Sequence, residues 1–139
     1  DLRRPSLREH AATLCERADA FDPPDRELLL AYFGAGRNAV QLAQLTGRTP
    51  RWVRSHLRRL AARALDPAFL YVARADAGWT PTRRAVGRAC FISGLSLRAA
   101  ARSLHLSLHT VRRNRLAILA LVEAARPSPA TRRNAGAAA

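Results

Sequence analysis

The sequence contains no Lys and no Met, it has two Cys, and aromatic residues make up only 6% of its 139 residues. With so few aromatic side chains, a packed core must be built from Leu, Val, Ile and Ala, and the scarcity of β-branched residues favours helix. The longest apolar run, residues 116–122, has seven residues, whereas a membrane-spanning helix needs roughly 18. Because the chain begins at Asp1 and has no Met, we expect its natural N-terminus to have been cropped or renumbered.

Acidic residues are nearly absent after residue 27. Residues 1–27 contain seven acids and five Arg, a net charge of −2, whereas residues 28–139 contain nineteen Arg and three acids, a net charge of +16. Codon bias explains a preference for Arg over Lys, but it does not remove acids. A surface this basic attracts a polyphosphate backbone or an anionic membrane. Because no run is long enough to span a membrane, we expect nucleic acid to be the partner.

The sequence lacks the residue clusters that enzymes require. Three acids stand far apart after residue 27, too dispersed for a metal-dependent nuclease or transposase, and no Gly-rich phosphate loop is present. His105 and His109 lie four residues apart, but no carboxylate or Cys completes a metal site. Cys15 and Cys90 form no CxxC pair, which favours buried, reduced thiols and leaves a disulfide between them open. We therefore expect no enzymatic activity, no cofactor and no metal.

Turn signals divide the chain into helix-length segments, and no segment shows the alternation of a strand. Ser6 and Glu9 have the spacing of a capping box, and Asp22 precedes two prolines that begin a second helix, which is expected to run to Phe33. The fold class expected is all-α, with two tandem helix-turn-helix units joined by a short helical linker. The predicted boundaries are an N-terminal helix at 1–21, a first unit at 22–65, a linker at 66–79, a second unit at 80–125 and a disordered tail at 126–139.

A repeat carries the functional prediction. Asn38 and Thr49 are predicted helix N-caps eleven residues apart, and Ser96 and Ser107 repeat that spacing. Adding 58 to the residue number places Ala43 on Ala101, Val53 on Val111 and Arg54 on Arg112 without a gap.

This pattern suits two short helices that cross through a tight turn. A small residue is needed where the helices touch, which explains Ala43 and Ala101. The turn needs a residue that tolerates positive φ; Gly47 is ideal, and His belongs to the residue types that are enriched there, as at position 105. An aliphatic residue at 53 or 111 anchors the second helix, whose remaining face is free to enter a major groove.

At residues 96–111, Ser-Leu-Arg-Ala-Ala-Ala-Arg-Ser-Leu-His-Leu-Ser-Leu-His-Thr-Val, the sequence resembles the helix-turn-helix of region 4 of bacterial sigma-70-type factors and of related response-regulator output domains. Residues 24–33, leading to 38–53, are similar to the same family, so the resemblance covers roughly 22–65 and 80–125. It implies sequence-specific binding of double-stranded DNA in a bacterial cytoplasm, at the nucleoid. No counterpart of sigma region 2 is present, so a complete sigma factor is not expected.

The sequence departs from the family pattern at five positions, and these departures bear on the recognition mode more than on the fold. Arg48, Thr46 and Trp52 stand where an aliphatic residue, a Leu and a Thr are usual. His105 replaces the turn Gly, and Arg115 replaces a buried Leu.

Residues 51–63, in the second helix of the first predicted unit, contain five Arg and no acid, and residues 98–115, which include the start of the second helix of the other unit, also contain five Arg and no acid. If Val53, Leu57 and Leu60 face inward, the opposite face of the first such helix is basic, and Arg suits both bidentate contact with guanine and contact with phosphate. The predicted base-contacting residues are Arg51, Arg54, Ser55, Arg58, His109, Arg112 and Arg113. The predicted phosphate-contacting residues are Asn38, Arg48, Thr49, Arg59, Ser96, Arg98, Ser107 and Thr110.

Three functional hypotheses remain open at this level. The leading one is a transcription regulator that reads DNA with both second helices. The second is an activator that works through RNA polymerase, using a sigma-like unit or the acidic N-terminal helix. The third is an architectural or packaging protein of a phage or mobile element that binds DNA without sequence preference. The apolar segment 116–122 is expected to be buried between the units or in a homodimer.

Overall fold

In a computed structural model, which describes residues 7–75 and 78–127, the protein is all-helical, and the described residues contain no strand. Ser6 and the tail from 128 to 139 lie outside the described residues, as does residue 76. These described residues form eight α-helices, in the order α1 (Ala11–Arg17), α2 (Pro23–Leu29), α3 (Ala39–Thr46), α4 (Pro50–Leu65), α5 (Pro67–Ala75), α6 (Pro81–Gly87), α7 (Leu97–Leu104) and α8 (Leu108–Ala125).

The four predicted N-caps are confirmed. Side-chain oxygens of Asn38, Thr49, Ser96 and Ser107 each accept a hydrogen bond from the backbone N–H three residues on. Asn38 takes part in a full capping box, because its own backbone N–H donates to the side chain of Gln41 at 3.0 Å. These bonds satisfy backbone donors that a helix start leaves without partners, so they explain why α3, α4, α7 and α8 begin where they do.

Three segments differ from the expected single α-helices. The N-terminal helix is divided into a 3-10 turn at Leu7–His10, α1, and a second 3-10 turn at Ala18–Ala20. The helices that begin at 23 and 81 each end in one turn of π-helix, at Leu30–Gly34 and Arg88–Ile92. An apolar pattern of helical period does not distinguish a π turn from an α turn, so the sequence did not reveal either one.

The sequence repeat extends across the fold. The bounds of α6, of its π turn and of α7 follow those of α2, its π turn and α3 by the same numerical shift, and so does the start of α8 relative to that of α4. The positive-φ positions repeat as well: Gly36 at 72° matches Gly94 at 71°, and Gly47 at 70° matches His105 at 54°. The two halves therefore share one backbone plan.

The same shift relates α1 to α5. Leu14 and Val72 occupy equivalent positions and are both fully buried. Helix α1 packs against the first π turn and α4, and α5 packs against the second π turn and α8. The segment between the predicted units is thus a structural counterpart of the N-terminal helix. We call residues 7–65 the first repeat and residues 66–125 the second repeat.

One buried apolar cluster joins the two repeats. It contains Leu14, Leu29 and Leu60 of the first repeat together with Val72 and Ile118 of the second. A smaller cluster lies within the second repeat around Val86, Ala100 and Val111. Because burial of apolar surface is the main stabilising term, the shared cluster holds the repeats in one fixed arrangement.

The end of α4 also contacts the second repeat. The Arg63 guanidinium lies over the Phe21 ring, 5.6 Å from its centroid, and it covers Gly94. Burial lowers the pKa of Arg63, while the nearby Asp25 carboxylate opposes that shift; a guanidinium remains protonated nevertheless. Arg63 is therefore a packing residue between the repeats and does not belong to an outer basic face.

The two cysteines are free, as the reduced-thiol prediction requires, but each is only half-buried. The segment 116–122 is partly buried, as predicted: Ile118 and Val122 lie in the shared cluster, whereas Leu116 is 59% exposed. Among the described residues, no helix combines the length and the apolar character that crossing a membrane requires.

Candidate functional site

The two helix pairs α3–α4 and α7–α8 have the predicted turn geometry. Gly47 and His105 both adopt the left-handed conformation directly after the first helix of each pair. The next residue then donates its backbone N–H to the carbonyl of residue 43 or 101, at 3.2 Å and 3.0 Å. Ala43 is buried, as the predicted helix contact requires, whereas Ala101 is half-buried and the neighbouring Ala100 is the buried residue of α7.

Helix α4 divides its residues between two faces. Val53, Leu57 and Leu60 are buried, as the helical wheel predicts. Four predicted contact residues are exposed on the other face: Arg51, Arg54, Arg58 and Arg59. Ser55 is only half-buried. No carboxylate among the described residues pairs with these four arginines, so their charge is available to a ligand.

Helix α8 repeats this division. Val111 and Ile118 are fully buried, and His109, Arg112 and Arg113 are exposed. Arg98, near the start of α7, is also exposed. The seven predicted base-contacting residues thus fall on two helices, six of them exposed and one, on α4, half-buried.

The predicted phosphate-contacting caps are exposed, but their side-chain acceptors are already engaged by their own helices. A phosphate could still accept a hydrogen bond from the Ser96 or Thr49 hydroxyl, because each hydroxyl retains its proton. Thr110 is half-buried, and its hydroxyl lies 2.8 Å from the Ser107 hydroxyl. Thr110 is therefore less accessible to a phosphate than the other predicted contacts.

A stack of side chains that was not predicted from the sequence lies along the start of α4. The Arg48 guanidinium lies over the Trp52 ring at 4.5 Å from its centroid, and the Trp52 ring stacks on the His56 ring at 4.6 Å. His56 Nε2 lies 2.7 Å from Asp25 Oδ1. The i, i+4 spacing of residues 48, 52 and 56 already indicates in the sequence that their side chains can contact one another along a helix. The contact of His56 with a residue of α2 is evident only from the fold. Trp52 packs partly against the core.

The second repeat replaces this stack. Leu106 and Thr110 stand at the positions of Arg48 and Trp52, and the His56 position is taken by Asn114, which is buried and donates to the Thr110 carbonyl at 2.9 Å. The two outer faces therefore differ in shape and charge beside the turn, although the backbones match.

Arg115 occupies a position where the family pattern has a buried Leu. Its side chain is half-buried, with the guanidinium 5.6 Å from the centroid of the Phe91 ring. Burial raises the pKa of the Cys90 thiol, and the Arg115 charge opposes that shift. Arg115 thus packs between α8 and the second π turn and is not part of the basic outer face.

Comparison of the chain with protein-family models, with curated proteins and with solved structures finds no match.

Proposed function

We propose that the protein binds double-stranded DNA sequence-specifically and regulates transcription, with α3–α4 and α7–α8 acting as two helix-turn-helix units. The observation that carries this proposal is a repeated arrangement of a short helix, a left-handed turn residue and a long helix. The long helix exposes arginines that pair with no carboxylate among the described residues. Such a long helix fits the width of a major groove, and its exposed face presents the donors that read guanine.

The distribution of charge favours this proposal over the alternative that the arginines merely make the whole surface basic. The arginines on the outer faces of α4 and α8 have no carboxylate partner among residues 7–75 and 78–127, whereas Arg63 and Arg115 pack on aromatic rings elsewhere. An outer face kept free of internal ion pairs leaves its guanidinium groups ready for phosphates and base edges.

The test begins with selection of bound fragments from random double-stranded DNA, followed by competition with scrambled sequences. If about six phosphates are neutralised, the plot of log affinity against log salt should have a slope near −5. Equal affinity for selected and scrambled sequences would refute specific recognition and favour the architectural hypothesis. An affinity that does not depend on salt would refute nucleic-acid binding through the arginines.

Matched variants locate the reading face. Arg54→Ala and Arg112→Ala should each reduce discrimination between the selected site and a single-base variant by roughly 1–3 kcal/mol. Arg74→Ala is the control, because Arg74 is also an exposed arginine and lies on α5, in the groove beside the C-terminal end of α8. Equal small effects of all three substitutions would contradict the assignment.

A second candidate, contact with RNA polymerase, is favoured by exposed acids close to the start of the chain, namely Glu9, Glu16, Asp19, Asp22 and Glu27. Copurification of polymerase with the wild-type protein, lost when these acids are changed to Gln or Asn, would support a polymerase-dependent activator. DNA binding that is intact without such copurification favours a repressor that acts alone.

A further inference from the structure

A basic cavity of about 610 Å³ opens beside the first half of α4. Three of its lining residues are arginines and none is an acid; the polar and aromatic ones are Arg8, Tyr32, Phe33, Arg37, Asn38 and Arg54. Only Arg54 and Asn38 were among the residues that the sequence predicted to contact DNA. Arg54 connects the cavity with the outer face of α4, since it is exposed there as well.

The equivalent place in the second repeat holds a smaller cavity of about 360 Å³, whose charged lining residues are Arg63, Asp66 and Arg115. Nothing lies within 4 Å of a Cβ built on Gly36, which lines the cavity, whereas a Cβ on the equivalent Gly94 would collide with the Arg63 side chain. The charged residues also differ, because the counterparts of Arg8 and Arg37 are Asp66 and Leu95. The cavity of the first repeat therefore has arginines as its only charged lining residues, whereas the lining of its counterpart in the second repeat includes an aspartate.

The chemistry of the lining favours a phosphoryl group. Three guanidinium groups around one recess repel each other unless an anion lies among them, and no carboxylate of the lining fills that role. Guanidinium groups bind phosphate oxygens through paired, charge-assisted hydrogen bonds. Arg8 and Arg37 are exposed and so can reach a ligand from solvent.

We propose that this cavity binds a phosphodiester group of the DNA backbone next to the bases read by α4, and that it anchors the first repeat more firmly than the second. The proposal rests on the proposed function. A small phosphate-bearing molecule offers the same chemistry, and the volume also suits such a ligand. The experiment therefore treats the two sources separately.

The first arm measures DNA affinity against salt for the wild type and for the double variant Arg8→Gln/Arg37→Gln. Loss of the neutralisation of this one phosphodiester should reduce the magnitude of the log–log slope by about 0.9 and weaken binding roughly tenfold at 0.1 M salt. Discrimination between selected and scrambled sequences should stay unchanged, because phosphate contacts carry no base information. The control Arg74→Gln/Arg126→Gln removes the same charge from the groove between α5 and α8.

The second arm titrates inorganic pyrophosphate into the DNA-free protein and follows the NMR signals of Tyr32 and Gly36. A wild type that binds DNA selectively, together with a double variant whose slope matches the control, would overturn the proposal and leave the proposed function standing. If pyrophosphate alone then shifts the cavity signals, and does so only in the wild type, the ligand is a free phosphate compound. If the wild type does not bind DNA selectively, the proposed function itself is refuted. The pyrophosphate titration then still shows whether the cavity binds a phosphate compound.

Discussion

Substituting Gly94 by Ala should destabilise the protein more than the same substitution at Gly36, and the difference measures the contact between the repeats. Both glycines adopt a left-handed conformation, with φ of 71° and 72°. A residue with a Cβ is disfavoured by roughly 1–2 kcal/mol in that conformation, so both variants share this cost. At Gly36 nothing lies within 4 Å of the new Cβ, but at Gly94 the Arg63 side chain must move.

The extra cost at Gly94 follows from what Arg63 loses. Its guanidinium lies over the Phe21 ring, and such a cation–π contact contributes about 0.5–2 kcal/mol when partly desolvated. We therefore expect Gly94→Ala to lower the free energy of unfolding by about 1 kcal/mol more than Gly36→Ala. For a chain of this length that difference corresponds to roughly 3–5 °C in Tm.

Urea unfolding of both variants, each with and without Arg63→Ala, completes the assay. In the Arg63→Ala background the two glycine variants should become equally stable, because the side chain that distinguishes them is gone. Equal stability in the wild-type background, or a difference that persists without Arg63, would refute the role assigned to this contact.

Further predictions concern the turns, the thiol and the exposed apolar face. Gly47→Ala should lower the free energy of unfolding by about 1 kcal/mol, whereas His105→Gly should leave it unchanged or raise it, since both positions are left-handed; opposite signs in a urea titration check this pair. Burial raises the pKa of Cys90 and Arg115 opposes it, so Arg115→Ala should move the pH profile of Cys90 alkylation to higher pH, measured with the other cysteine changed to Ser. Leu116→Gln should change the free energy of unfolding by less than about 0.5 kcal/mol, because this side chain is 59% exposed; a loss that depends on protein concentration would instead reveal a second copy covering it.

The local signals of the sequence were sufficient for helix starts and turns. Asn38, Thr49, Ser96 and Ser107 act through hydrogen bonds to backbone three residues away, so their role depends on nearby sequence alone. The left-handed residue after α3 and after α7 was likewise predictable, because few residue types tolerate that conformation.

Features that depend on tertiary packing were not predictable. The relation of α1 to α5 rests on buried positions such as Leu14 and Val72, which share size and burial but belong to otherwise different sequences. The Asp25–His56 pair joins helices that are distant in sequence. The basic cavity exists because Arg8 lies close to α3 and α4 in the folded protein. No spacing of residues in the sequence predicts that proximity.

The shared apolar cluster has a consequence for the DNA sites that the proposed regulator can use. Because Leu60 and Ile118 belong to one continuous core, the two long helices are packed together and are not connected by a flexible linker. Two half-sites must then lie at one fixed distance and one rotational phase along the duplex for both to be occupied together. Inserting about five base pairs between them would turn one half-site to the opposite side of the duplex and abolish the gain from simultaneous binding, whereas a flexible two-domain protein would tolerate the insertion.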